Sequence, residues 1–264
     1  MRCAMSKRLA LVTGASSGLG AEFARALARR DIDLVLVARR EEPMQQLADE
    51  LRQLHDIDIH LHSLDLGVTG SAAALRQWLA DRGLTPDILI NNAAFGLAGR
   101  FVDQDPVRIR QMLELDIISL VELTHVFARD MVSRNGGHIL LVGSLAAYQP
   151  DPLLAAYGAA KSFVLSFGEA LHVELAPTVG ITVVSPGLMQ TEFFNVANFH
   201  PGAALRRGML PAATVAEEGI KALFAGKPSI VVGGLNRLSA IAVKFLPRSI
   251  VAKVAYRLSN HSQR

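Results

Sequence analysis

Short apolar runs alternate along the chain with longer segments of helical periodicity, and this alternation constrains the fold more than any other feature. Seven apolar runs, rich in β-branched residues, predict strands at 9–14, 33–39, 57–66, 87–93, 137–144, 181–187 and 229–234. Intervening segments predict helices at 17–30, 41–55, 71–82, 106–132, 162–176 and 212–225. Because parallel neighbours need a crossover helix, the pattern predicts an α/β fold, with one doubly wound parallel sheet and helices on both faces.

Composition narrows the class of protein further. The chain has 264 residues, of which 50% are hydrophobic, and a net charge of +3. Its one cysteine, Cys3, excludes a disulfide framework and favours a reducing, cytoplasmic compartment. The histidines at 55, 60 and 62 lack partners at ligand spacing, so we expect no metal. We also expect no signal segment and no span, because no stretch reaches the roughly 20 apolar residues that cross a bilayer.

A glycine-rich segment, TGASSGLG at 13–20, joins the first predicted strand to the first predicted helix. Glycines let backbone N–H groups approach a pyrophosphate closely, and a helix N-terminus adds partial positive charge. This segment therefore predicts a dinucleotide site in a Rossmann-like fold. Its expected cofactor-binding residues are Gly14, Ser16, Ser17, Gly18, Leu19 and Gly20.

The end of the second predicted strand indicates which dinucleotide binds. Sites for NAD place an acidic side chain there, which accepts a hydrogen bond from the ribose 2′-hydroxyl. This strand ends in Arg39 and Arg40 and has no acid. Arginines are also common in ordinary solvated loops, but two cations in place of a carboxylate favour the 2′-phosphate of NADP(H).

Tyr157 and Lys161, in YGAAKS, lie one helical turn apart. Taken alone, the four-residue spacing of these two side chains is typical of a half-buried phenol beside a solvated ammonium group, without a catalytic role. In context, however, the chain resembles the short-chain dehydrogenase/reductase family over about residues 8–192. The matching motifs are TGASSGLG for TGxxxGxG, NNAA (91–94) for NNAG, Ser144 with YGAAK for the serine and YxxxK, and PGLMQT (186–191) for PGxxxT.

This resemblance implies a role for each matching position. Tyr157 would exchange a proton with a carbonyl or alcohol oxygen, and Ser144 would hydrogen-bond that oxygen. Lys161 would bind the nicotinamide ribose, and its ammonium is expected to lower the pKa of Tyr157. Further cofactor contacts are implied for Asp65, Leu66, Asn92, Ala93, Pro186, Gly187 and Thr191, besides Tyr157 and Lys161.

Asp116 departs from the family pattern. The family has an asparagine in this helix that helps to hold a water in a proton relay from the lysine, whereas the matching segment here reads LELDIIS. The relay would survive if the main-chain carbonyl holds the water. Alternatively, the aspartate would place a carboxylate near Lys161 and alter its charge balance. We include Asp116 in the predicted catalytic set.

Two segments lie outside the alternating pattern. We predict a Rossmann-like domain over 1–234, a substrate lid at about 188–212, and a basic amphipathic tail over 235–264. Apolar lid residues favour a lipid-like, steroid-like or aromatic carbonyl; they are Phe193, Phe194, Val196, Phe199, Leu205 and Leu210. Because of Arg206 and Arg207, a substrate with an acidic headgroup stays an open alternative.

The tail carries basic residues beside apolar ones, with Pro247 expected to break its helix. Such a surface could make a peripheral membrane contact with anionic lipids, or pack on the lid or on a partner subunit. Packing is the favoured alternative. No nucleic-acid-binding motif accompanies the tail, so we expect no nucleic acid as partner. The expected assembly is a homodimer or a homotetramer.

The predicted function is NADP(H)-dependent hydride transfer between nicotinamide and a carbonyl or alcohol substrate. Two alternatives stay open. One is reduction of a 3-oxoacyl thioester. The other is a non-catalytic dinucleotide-binding sensor or scaffold, in which Asp116 and NNAA would be marks of decay. The intact Ser144, Tyr157 and Lys161 favour an enzyme.

Overall fold

The computed structural model describes residues 7–189 and 208–260. Within them, seven strands form one parallel sheet, in the order β3-β2-β1-β4-β5-β6-β7. The strands are β1 Leu9–Thr13, β2 Asp33–Ala38, β3 Ile59–Ser63, β4 Ile88–Asn91, β5 Gly137–Val142, β6 Val179–Ser185 and β7 Ser229–Val231. Strand order reverses between β1 and β4, so the sheet is doubly wound, as predicted, and a crevice opens at their carboxyl ends.

Helices cover both faces of this sheet. They are α1 Gly18–Ala28, α2 Glu41–Leu54, α3 Ser71–Ala80, α4 Pro106–Leu113, α5 Leu120–Ser133, α6 Ala155–Glu174, α7 Ala212–Phe224, α8 Gly234–Ala242 and α9 Arg248–Asn260. Apolar residues of α1, α2 and α7 share one core cluster, and those of α3, α5 and α6 share a second. Successive side chains of a strand point to opposite faces, so Leu11 belongs to the second cluster and Val12 to the first.

The predicted helix at 106–132 is interrupted in the structure. A π-helical turn over Glu114–Ser119 separates α4 from α5. Such a turn inserts an extra residue into the helix and rotates the side chains around it. Asp116, in the middle of this turn, is fully buried. The interruption therefore lies at Asp116, a predicted catalytic position at which the sequence departs from the family pattern.

Beyond β7 the chain forms α8, a 3-10 turn over Val243–Phe245, and α9. The break between the two helices falls at Pro247, as the sequence predicts, because proline cannot continue a helix from within. No helix in the described part of the chain is both long and apolar enough to cross a membrane. The division into a domain over 1–234 and a tail over 235–264 stays a prediction.

Candidate active site

The glycine-rich turn is fixed to the neighbouring strand by a small hydrogen-bond network. Gly14 has φ +66, and a Cβ there would lie 2.8 Å from Asn92 Nδ2, so only glycine suits this position. Asn92 Nδ2 donates to the Thr13 carbonyl at 2.8 Å. The backbone N–H groups of Asn92 and Ala93 both donate to Thr13 Oγ1, at 2.9 and 3.0 Å. These contacts hold the turn open at the N-terminus of α1.

One cavity of about 630 Å³ runs along the carboxyl edge of the sheet. It is lined by every predicted cofactor residue that the structure describes, namely Gly14, Ser16, Ser17, Gly18, Leu19, Gly20, Arg39, Arg40, Asp65, Leu66, Asn92, Ala93, Tyr157, Lys161, Pro186 and Gly187. Ser144 also lines it. Thr191 lies outside the described residues, as do the lid residues 190–207. Residues from distant parts of the sequence thus meet around one space.

Arg39 and Arg40 lie at the end of this cavity nearest β2. Arg40 Nη2 donates to Ser17 Oγ at 2.8 Å and to Ser16 Oγ at 3.3 Å. Arg39 Nη1 lies 3.9 Å from Asp65 Oδ2, and both side chains are exposed. A guanidinium therefore lies directly beside the glycine-rich turn, where the phosphates of a dinucleotide are expected.

Ser144, Tyr157 and Lys161 form a connected group at the other end of the cavity. Ser144 follows β5 and hydrogen-bonds the Tyr157 phenol through its side chain. Lys161 lies one turn further along α6, with Nζ 5.7 Å from the centre of the Tyr157 ring. Its ammonium donates to the Val142 carbonyl at 3.2 Å. Tyr157 is 8% exposed and Lys161 2%.

The pKa of Tyr157 is raised, whereas the sequence led us to expect a lowered value. Burial is the main cause, and the negative charges of Asp116 and Asp151 raise the pKa of Tyr157 further. Only the hydrogen bond from Ser144 acts in the opposite direction. A buried phenol loses the water that would stabilise its phenolate, and this cost exceeds the stabilising effect of the Ser144 hydrogen bond. In the protein without a bound cofactor, the phenol of Tyr157 is therefore protonated.

Asp116 forms a buried ion pair with Lys161. Asp116 Oδ2 lies 3.4 Å from Lys161 Nζ, and its Oδ1 accepts the backbone N–H of Phe95 at 3.0 Å. Burial raises the pKa of Asp116, against the lowering effects of Lys161 and of the Phe95 N–H. Of the two arrangements considered from the sequence, the structure has the carboxylate beside the ammonium. Asp116 does not itself line the cavity, but its two partners, Lys161 and Phe95, do.

Several cavity residues could not be found in the sequence. Phe95, Gln149, Asp151, Leu154 and Ala255 line it and belong to no motif. Asp151 is the only acid among them, and burial raises its pKa to about 6. Ala255 comes from α9, so the tail packs on the described part of its own chain. Asn91, the first residue of the NNAA motif, does not line the cavity and donates instead to the Leu120 carbonyl at 3.0 Å.

The fold and this cavity define a dinucleotide-binding protein of the doubly wound α/β class. Comparison with known proteins makes the assignment narrower. The family model described as short chain dehydrogenase matches residues 8–200. The chain belongs to this family of oxidoreductases, as its motifs predicted.

Two curated relatives and one solved structure illustrate the similarity. The probable oxidoreductase EphD of Mycobacterium tuberculosis is 34% identical over 197 residues, which are 74% of this chain and 33% of that protein. The 11-beta-hydroxysteroid dehydrogenase-like 4A of Arabidopsis thaliana is 34% identical over 184 residues, 69% of this chain and 61% of that protein. The match therefore spans a third to three fifths of these relatives' own length.

Among solved structures, a short-chain dehydrogenase from Sphingobium yanoikuyae in complex with NADPH is 29% identical, with a TM-score of 0.80. The alignment covers 90% of this chain and 93% of that one. Near-complete coverage of both chains means that the fold is shared well beyond the dinucleotide motif.

Two of the three histidines noted in the sequence, His60 and His62, lie in β3. His62 stacks on Trp78 with ring centroids 4.4 Å apart. Over residues 7–189 and 208–260, no group of three or more His, Cys, Asp or Glu side chains is placed to hold a metal ion. His62 therefore has a packing role on the outer face of β3.

Proposed function

We propose that this protein is an NADP(H)-dependent oxidoreductase that interconverts an apolar carbonyl compound and its alcohol, with Tyr157 as the general acid and base. One observation carries the proposal. The hydrogen-bonded pair Ser144–Tyr157 and the glycine-rich turn line the same cavity. A carbonyl carbon held beside Tyr157 would therefore lie within reach of a dinucleotide bound along the turn.

The residues present fit NADP(H). Gly14 and Gly20 leave room for a close backbone approach, since a Cβ at Gly20 would lie 2.2 Å from the Gly14 carbonyl oxygen. Gly18 begins α1, which directs its positive end toward the turn. Arg40 supports a 2′-phosphate rather than a free hydroxyl. When bound, the nicotinamide would supply or accept the hydride, and the protein provides position and proton transfer.

Each catalytic side chain has a distinct part in the proposed reduction. Ser144 donates a hydrogen bond to the substrate oxygen and orients it, and Tyr157 delivers a proton to that oxygen as negative charge develops. The raised pKa of Tyr157 keeps the phenol protonated, which suits reduction. Lys161, fixed between the Val142 carbonyl and Asp116, holds its ammonium below the phenol. The positive charge of an oxidised nicotinamide would lower the pKa of Tyr157 for the reverse reaction.

An apolar substrate is supported by the wall opposite Tyr157. Phe95 and Leu154 pack around Tyr157 in one apolar cluster, and Met189 lines the same cavity. The hydroxysteroid dehydrogenase-like relative from Arabidopsis supports the same class of substrate. Asp151 adds one polar position within this wall, which would accept a hydrogen bond from a hydroxyl group of the substrate.

A substrate panel with both cofactors tests the proposal. The panel contains aromatic, steroid-like and aliphatic ketones and aldehydes, together with a 3-oxoacyl thioester, and NADPH or NADH oxidation is followed optically. We expect Tyr157→Phe to lose at least about 100-fold in kcat while it still binds NADPH. Tyr256→Phe, on the exposed side of α9, is the matched control and should stay active.

The same experiment separates the alternatives. If only the 3-oxoacyl thioester is turned over, the substrate is a thioester and not the proposed free ketone or aldehyde. A sensor or scaffold would bind NADPH yet turn over no member of the panel. Undiminished turnover in Tyr157→Phe would contradict the mechanism. A homodimer or homotetramer in the cytoplasm remains part of the proposal, and light scattering of the purified protein would measure the assembly.

A further inference from the structure

The outer side of the tail exposes an unusual number of large apolar side chains. We call the exposed residues between Gly234 and Arg257 the tail surface. Its apolar members range from 44% to 82% exposed and are Leu235, Leu238, Ile241, Phe245, Leu246, Ile250, Val254 and Tyr256. Isolated exposed apolar residues are normal on any protein, but a contiguous apolar patch indicates contact with another surface.

Exposed cations lie between these apolar residues. They are Arg237, Lys244, Arg248, Lys253 and Arg257. No Asp or Glu follows Glu218 anywhere in the sequence. Within residues 7–189 and 208–260, none of the five cations forms an ion pair. The tail surface is therefore apolar and positively charged, with no negative charge of its own.

Each of the two tail helices, α8 and α9, has one side that is buried against the rest of the chain. On α8, Ala240 is buried at 4%, whereas Leu238 and Ile241, on the other side of the helix, are exposed. On α9, Val251 and Ala255 are buried one turn apart, and Ala255 reaches the candidate active site. Ile250 and Val254 lie about 100° around that helix from them and are exposed. The tail thus packs on its own chain and, among the described residues, still presents a second side that is exposed.

Charge distinguishes the surfaces that could cover this side, namely the lid, a second copy of the tail surface and a membrane. The predicted lid offers a single acid, Glu192, against Arg206 and Arg207. If two copies met through their tail surfaces, five cations would face five, with no acid to pair with them. An anionic bilayer supplies the missing charge, and its interfacial region accepts apolar side chains between basic ones. We propose that the tail surface binds the interface of an anionic lipid membrane, with α8 and α9 lying along the bilayer rather than crossing it.

Vesicle co-sedimentation tests this proposal with the full chain. The probes are vesicles of phosphatidylcholine alone and of phosphatidylcholine mixed with phosphatidylserine. We expect partition into the mixed vesicles that falls as salt is raised, with little binding to phosphatidylcholine alone. Replacing Lys244 and Arg248 by Gln should weaken partition about fivefold for each cation removed. Phe245→Ser should weaken it by about tenfold, because an apolar side chain no longer enters the interface.

Matched variants elsewhere on the surface control for general effects of charge and polarity. Arg100→Gln with Arg110→Gln removes two exposed cations, and Val102→Ser replaces an exposed apolar residue outside the tail. These should bind vesicles like the unaltered protein. Because Tyr157→Phe should also bind normally, failure of the proposed oxidoreductase chemistry would leave this result unchanged.

Two outcomes would overturn the proposal. One is no partition into phosphatidylserine vesicles at low salt, or partition that the Lys244 and Arg248 changes leave intact. The other is a Phe245→Ser variant whose oligomer becomes smaller in light scattering while its vesicle binding is unaltered. That second result would assign the tail surface to contact between copies of the chain.

Discussion

Asp116 Oδ2 lies 3.4 Å from Lys161 Nζ, with the aspartate fully buried and the lysine side chain only 3% exposed. A charged pair this deep is costly to form, and removing one partner leaves the other charge uncompensated. The pair also affects the electrostatics of Tyr157, since the negative charge of Asp116 raises the pKa of the phenol. Asp116 therefore influences Tyr157 electrostatically, although Asp116 does not line the cavity.

Replacing Asp116 with Asn should lower the pKa of Tyr157. Asn keeps the shape and the acceptor for the Phe95 N–H, but removes the negative charge that favours the protonated phenol. For alcohol oxidation, in which the phenolate acts as base, the rise of kcat/KM should move toward lower pH. The pH profile of kcat/KM measures this. Asp116→Leu removes the acceptor as well, and should lower the free energy of unfolding by a further 1–3 kcal/mol or so.

Asp151 should make stability depend on pH between about 4 and about 6. Burial raises its pKa to about 6, so the folded protein binds a proton there that the unfolded chain releases. The folded state is therefore favoured at low pH, and this contribution is lost as pH rises through 6. Asp151→Asn should remove it and raise the free energy of unfolding at pH 7.5 by up to about 3 kcal/mol relative to the unaltered protein. Urea unfolding at pH 4.5 and 7.5 tests this; an equal effect at both values would contradict it.

Arg40 should discriminate between the two cofactors. Its guanidinium lies beside Ser16 and Ser17, where it would meet a 2′-phosphate with charge-assisted hydrogen bonds. Combined replacement of Arg39 and Arg40 by Ala should weaken NADPH binding by about 10- to 100-fold and NADH binding by no more than about twofold. Fluorescence titration gives both dissociation constants. Arg110→Ala serves as control, and equal losses for both cofactors would contradict the assignment.

Gly20 should tolerate no side chain. A Cβ there would lie 2.2 Å from the Gly14 carbonyl oxygen and 2.7 Å from Asn92 Nδ2, and the backbone atom cannot move without opening the turn. Gly20→Ala should therefore lower the free energy of unfolding by about 1–3 kcal/mol and weaken NADPH binding. Gly136→Ala, where nothing lies within 4 Å of an added Cβ, is the matched control. Thermal unfolding and cofactor titration of both variants check the prediction.

Much of the site was visible in the sequence because it depends on local spacing. The glycine-rich turn must follow a strand and begin a helix, and Tyr157 and Lys161 must be one turn apart, so both signals occupy a few consecutive residues. Asn91 shows the limit of such reasoning. Its neighbour Asn92 lines the cavity, but adjacent residues of a strand point in opposite directions, and Asn91 faces α5.

The class of fold, the family, the dinucleotide turn and the order of the predicted catalytic residues could be read before folding, since each follows from periodicity or from motifs within single elements. How those residues interact depends on tertiary packing. Packing places Asp116 against Lys161, Asp151 near enough to affect Tyr157, and Ala255 of the tail on the cavity wall. The pKa of Tyr157 was expected to fall and instead rises, because burial and the charges of Asp116 and Asp151 outweigh the hydrogen bond from Ser144. Burial is a property of the packed molecule, and no short stretch of sequence contains it.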